Sequence, residues 1–139
     1  MTATTTTTTM HVNRAVVALL DSIPNVDAFL SRGPRPPRGK VVVVHQLMAK
    51  PVGPFGNPDR DLCLTIQVSS FGVEPEQALW VNDQVNKYLL RAKLTVDEAN
   101  TSLDIFRDGN AAPLLADEDL QEPIYFVPSK WKIETRPSS

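Results

Sequence analysis

Apolar residues recur early in the chain at Val12, Ala15, Val16, Leu19, Leu20 and Ile23, spacings of three and four that put them on one face of an amphipathic helix. Pro24 stops that helix, because its ring blocks the next turn and it has no N–H to donate. A short extended stretch, Val26–Leu30, follows. Ser31 to Gly39 is then a basic loop in which Pro34, Pro36 and Pro37 forbid regular strand pairing. Lys40–Leu47 is rich in β-branched residues and predicts a strand, apolar on both faces from Val41 to Val44. Met48–Arg60, with Pro51, Gly53, Pro54, Gly56 and Pro58, reads as a long turn-rich connector, and loops of that length inside a compact domain are usually functional or mobile.

The cleanest period in the chain comes next. Leu62, Leu64, Ile66 and Val68 alternate with Asp61, Cys63, Thr65, Gln67 and Ser69, which predicts a strand with one buried and one wetter face. This strand and Lys40–Leu47 are expected to pair as an antiparallel hairpin. Gly72 ends the strand, Pro75 stands at a first helical position, and Ala78, Val81, Val85, Tyr88, Leu89 and Ala92 share a helical face. The helix is predicted from Pro75 to Ala92, with Arg91 and Lys93 favourable at the negative end of its dipole. Leu94–Ile105 is ambiguous, with a strand near Ser102–Arg107; Asp117–Asp119 reads as an acidic linker, and Ile124–Ile133 as a closing strand. The order of elements predicts an α+β fold, a mainly antiparallel sheet with two amphipathic helices packed on one face.

Composition adds boundaries rather than chemistry. The 139 residues make one domain, read as 11–135, behind a low-complexity arm (1–10) and ahead of a frayed end (136–139). Seven of the first nine residues are threonine, a tract with no apolar anchor, and Met10 is an alternative start that would make it dispensable. Twelve prolines exceed the usual share and fall mostly between the periodic segments, so they shape loops. A net charge of -2 gives no sign of a nucleic-acid partner. The lone Cys63 has no disulfide partner, which fits synthesis in a reducing host cytoplasm. The start lacks a signal peptide's basic and apolar regions, and Val41–Val44 is far short of the ~20 residues of a membrane span. No membrane partner is expected.

The search for an active site ends without one. One cysteine and two histidines, His11 and His45, are too few for a Cys/His zinc site. Cys63 beside His45 on the neighbouring strand is an imaginable nucleophile and base, but nothing in the sequence supplies an elbow or an oxyanion hole. The acids around Asp117–Asp119 and Glu122 lack calcium-loop spacing and its obligatory glycine. Gly53, Gly56 and Gly72 match no phosphate loop. No catalytic residue, metal or cofactor is expected, and the chain reads as a non-enzymatic subunit. Arg32, Arg35, Arg38 and Lys40 form the only dense basic patch, read first as a solvated connector, then as a contact for an acidic neighbour, then for DNA phosphate.

Three stretches in order carry a likeness: Val41–Leu47; Gly53–Asp59; and Leu64–Gly72 with its continuation Pro75–Trp80, Asp83 and Val85. Together with Pro123–Val127, Trp131 and the acidic run before them, they resemble the tail-terminator family of actinobacterial long-tailed (siphovirus-type) phages over residues 12–135. The threonine tract, the basic loop Arg32–Gly39, and Val73-Glu74 at the helix start depart from that pattern. The resemblance implies a virion structural protein, a ring of typically six subunits at the head-proximal end of the tail tube. Such a ring ends tube polymerisation and offers a docking surface to the head connector and neck, while DNA passes through its lumen without being read. On this reading the connector residues Pro54, Phe55 and Asn57 contact the tube or a neighbouring ring, and Arg35 and Arg38 meet a neighbour's acids, Asp117 and Asp119 among them. The alternatives are another neck or head-completion protein, a tail-tube subunit, a small enzyme, or a monomeric binding module.

Overall fold

In a computed structural model describing residues 9–30, 39–51, 62–90, 92, 94–96, 101–108, 113–117 and 124–137, the first periodic segment is helix α1 (Thr9–Asp21). Val12, Val16 and Leu20 are fully buried along one of its faces. The helix already includes Thr9 and Met10, so the boundary drawn after residue 10 falls inside it. It closes before Pro24, with the amides of Ser22 and Ile23 donating to the carbonyls of Leu19 and Leu20. Asn25 then takes a left-handed φ of 65°, which Asn tolerates better than most residues. The turn delivers strand β1 (Asp27–Leu30), whose Ala28 amide donates to the Asp21 carboxylate at 3.2 Å.

Strand β2 (Val41–Pro51) and strand β3 (Leu62–Gly72) form the expected antiparallel hairpin, from Val41↔Phe71 to Pro51↔Leu62. β2 is longer than its sequence pattern predicts, since Met48–Pro51 belong to it and not to the connector. A bulge between Gln46 and Met48 inserts Leu47 as an extra residue and breaks the period-two signal there. β1 pairs with β2 in parallel, Asp27↔Val41 to Leu30↔Val44, a pairing the pattern did not foretell.

Helix α2 (Pro75–Leu90) begins at Pro75 as expected and stops two residues short of Ala92, whose amide still bonds to the Leu89 carbonyl. Gly72 is needed at its start: a Cβ there would stand 2.6 Å from the Ala78 amide nitrogen and 2.7 Å from Gln77 Cβ. The ambiguous region resolves into β4 (Leu94–Val96) and β5 (Thr101–Arg107), an antiparallel pair. Asp117, read as linker, closes the short strand β6 (Leu115–Asp117). Strand β7 (Ile124–Pro137) is longer than expected: Arg136 and Pro137 pair with Ser102 and Thr101 instead of fraying.

The sheet order is β1-β2-β3-β7-β5-β4, with β6 paired to the first residues of β7. Every pairing but β1–β2 is antiparallel, so the α+β class with a mainly antiparallel sheet stands. Alternate strand residues build one core: Val42 and Val44, Leu64, Ile66 and Val68, Trp131 and Ile133, and Leu103 join the buried faces of α1 and α2. Each fully buried Val, Leu or Ile contributes roughly 1.5–3 kcal/mol over an exposed one. α2 packs on β3, β7 and β5, while α1 touches β2 and both edge strands, β1 and β4. A sheet whose two edges reach the same helix is curled around it.

Candidate functional site

The register separates the groups that an enzyme would need together. Cys63 lies opposite Lys50 and His45 opposite Gln67, four positions along β3 from Cys63, or about 13 Å at the strand rise. The imagined nucleophile and base are not neighbours. Among the described residues, no group of three His, Cys, Asp or Glu side chains is placed to hold a metal. None of the helices among those residues is long and apolar enough to cross a membrane.

Of the residues expected to make contacts, Pro54, Phe55, Asn57, Arg35, Arg38 and Asp119 lie outside the described residues. Asp117 is in β6, opposite Ile124 of β7. The connector that carries Phe55 joins Pro51 to Leu62, cross-strand partners at one end of the β2–β3 hairpin. Residues 31–38 lead into Gly39 and Lys40 at the other end, where β2 starts beside β1.

Two stretches of sheet edge stand open among the described residues. β1 covers β2 only as far as Val44, leaving His45–Pro51 with no described strand on its outer side. At the opposite side of the sheet, β4 covers β5 only as far as Leu103, and β5 runs on through Ile105–Arg107. Both stretches expose apolar side chains: Leu47 is 50% and Met48 62% exposed on β2, and Phe106 49% on β5. The far face of the sheet between them is polar and charged. Reading across it, Met48, Thr65, Lys132 and Phe106 form one row, and Lys50, Cys63, Glu134 and Asp104 the next.

A third feature lies on the helix side. A cleft of about 540 Å³ opens between the end of α1, the turn after it, and α2, lined by Leu19, Pro24, Trp80, Lys87, Tyr88 and Leu94 among others. Trp80 is 38% exposed, and the Lys40 ammonium stands 4.6 Å from the centre of its ring. That is cation–π geometry, worth about 0.5–1 kcal/mol at an exposed site. Sequence reasoning assigned Tyr88 to the core stripe and gave Trp80 no role. A signal was present: Trp80 precedes Val81 and so falls off the Ala78–Val81–Val85–Leu89 stripe, a large apolar ring on the wetter side of an amphipathic helix.

The buried polar groups serve the core. Trp131 Nε1 donates to Ser129 Oγ at 3.0 Å, and the Ser129 hydroxyl donates to the Val68 carbonyl at 3.1 Å. Asn13 Nδ2 donates to Gln46 Oε1 at 2.7 Å, tying α1 to β2 just before the bulge. Compared with known proteins, the chain matches no family model and no curated sequence.

Proposed function

We propose that this chain is a non-enzymatic ring subunit that ends tail-tube growth at the head-proximal end of a long phage tail. The observation carrying the ring is a pair of sheet edges that no strand covers among the described residues, on β2 after Val44 and on β5 after Leu103, on different strands of one sheet. Open edges with exposed apolar side chains invite strand pairing, and proteins that stay monomeric blunt or cover them. Two different edges that meet between copies make a head-to-tail contact. Such contacts form a closed ring when the rotation between copies divides a full turn, and a ring has no unused copy of the contact left. The ordered likeness of Val41–Leu47, Leu64–Gly72 and Pro123–Val127 to phage tail terminators supplies the biological setting. In that setting the ring, of six subunits, mates with the tail-tube protein on one face and with the connector or neck proteins on the other. DNA crosses the lumen without sequence recognition, and the site of action is the virion neck.

Electron microscopy of particles assembled without this protein tests the reading. Overlong, headless tails are expected, and tails of normal length would overturn it. The purified chain separates the nearest alternative: a terminator stops at rings, whereas a tube subunit polymerises into tubes.

A further inference from the structure

The cleft beside α2 is bounded by residues of two kinds. Leu19, Tyr88 and Leu94 are half-buried and packed against the core, and their remaining surface lines it. Pro24 and Ala92 complete the apolar lining. Trp80 serves as a wall and not as an open platform, since the Lys40 ammonium already stands over its ring. A volume of about 540 Å³ is in the range of pockets that take small molecules. A mainly apolar lining with a few polar groups is the usual make-up of such pockets.

The polar side chains of the lining are Asn25, Gln84 and Lys87, beside the Tyr88 hydroxyl. Trp80, Gln84 and Lys87 recur at i, i+4 and i+7, so α2 sets them in one line along the cleft. Asn25 comes from the turn after α1, where its left-handed φ of 65° would suit glycine at least as well; asparagine adds an amide there. Among the described residues, none of these three side chains is hydrogen-bonded or ion-paired. Together they offer amide and ammonium N–H donors, and among the described residues no carboxylate lines the cleft. Lys40 brings a second ammonium to the rim at Trp80. The whole chain carries a net charge of -2, so this cationic rim is a local feature and not a property of the surface at large. Such a rim repels a cation, and a hydrocarbon leaves its donors unused.

We propose that this cleft binds a small amphipathic anion, a carboxylate or phosphate carried on an apolar body. The head group meets Lys87, Gln84 and Asn25, and the body covers Leu19, Pro24 and Leu94. Lys87 is exposed, so its attraction for the head group acts through water and is weakened by salt. The apolar contacts supply most of the affinity, and the donors select the charge. The site lies within one subunit and does not depend on the ring reading.

Full-length protein is titrated with decanoate, decyl phosphate, decanol and decyltrimethylammonium, each below its aggregation concentration. The indole N–H signal of Trp80 reports binding at the cleft, and that of Trp131, buried and bonded to Ser129, is the internal reference. At least one of the two anions is expected to shift the Trp80 signal saturably, with one molecule per chain, while decanol binds severalfold more weakly and the cation more weakly still. Lys87→Gln is expected to lower the anion's affinity roughly threefold to fivefold and to leave decanol unchanged. Gln84→Glu keeps the shape of the side chain but adds a carboxylate, and is expected to turn the preference towards the cation. Both changes are at helix positions outside the core stripe, and circular dichroism checks that each variant is folded. Binding of decanol or of the cation as tight as that of the anions overturns the proposal. So does the absence of a saturable shift with either anion, or an anion affinity that is the same in the unaltered chain and both folded variants.

Discussion

Trp131 and Trp80 are the two tryptophans of the chain, and the fold treats them in opposite ways. Trp131 is fully buried, in phase with Val127, Ser129, Ile133 and Thr135 on the helix-covered side of β7, and its ring N–H is satisfied by Ser129. Trp80 sits beside the buried stripe of α2 and keeps over a third of its surface in contact with solvent. A strand's two-residue period leaves a large side chain only inside or outside. A helix's 100° step leaves intermediate positions, and Trp80 occupies one of them. Core packing accounts for Trp131; Trp80 instead lines the cleft beside α1, with the Lys40 ammonium over its ring.

The comparison can be broken by stability measurements. Trp131→Ala removes the largest fully buried side chain, and a loss of about 3–5 kcal/mol in urea unfolding is expected. Trp80→Ala should cost no more than a fraction of that; equal losses would erase the distinction. Next comes Gly72→Ala. Its methyl group would meet the backbone at the start of α2, with 2.6 Å to the Ala78 nitrogen, where no flexible side chain can move aside. A loss of about 1–3 kcal/mol is expected, from overpacking that displaces the helix. Ser129→Ala leaves the buried Trp131 N–H without its acceptor, and about 1–3 kcal/mol should be lost. The same serine change made on top of Trp131→Phe should cost clearly less, because the donor is then gone as well.

The same contrast explains which parts of the fold were legible in the sequence. Strands buried on one face announce themselves: the alternation through Leu62–Val68 gave the core face of β3, and Leu64, Ile66 and Val68 are indeed fully buried. Where a strand faces solvent on its edge, selection on alternation is weak. The end of β2 carries Leu47, Met48, Ala49 and Lys50, all exposed, and the bulge at Leu47 shifts the phase, so the segment reads as a loop. The end of β7 was missed for a related reason. Glu134 and Arg136 look like a polar tail, yet Thr135 is buried opposite Leu103, and its hydroxyl accepts the Leu62 amide at 2.7 Å. β1 is four residues long, too short for any period, and its parallel partner is fixed by tertiary packing against α1. The cleft was not legible, because Leu19, Pro24, Trp80 and Leu94 come from four separate parts of the chain.

The smallest expected effect sharpens the comparison most, because it isolates what surrounds Trp80. Lys40 is half-buried just before β2, and its ammonium stands over the indole. Lys40→Ala removes both the cation and the aliphatic stem that carries it to the ring, while Lys40→Met keeps an apolar stem and removes the charge. Each should lower stability by no more than about 1 kcal/mol, the scale of an exposed cation–π contact. Acrylamide quenching separates their causes. With Lys40→Ala the accessible fraction of tryptophan emission should become easier to quench, while the Trp131 fraction stays shielded. With Lys40→Met the quenching should remain near that of the unaltered protein, because an apolar stem is still present. If Met behaves like Ala, the charge and not the stem holds the lysine over the ring. The cationic rim would then act on the indole directly, and added salt should reproduce the effect of the substitution in the unaltered chain.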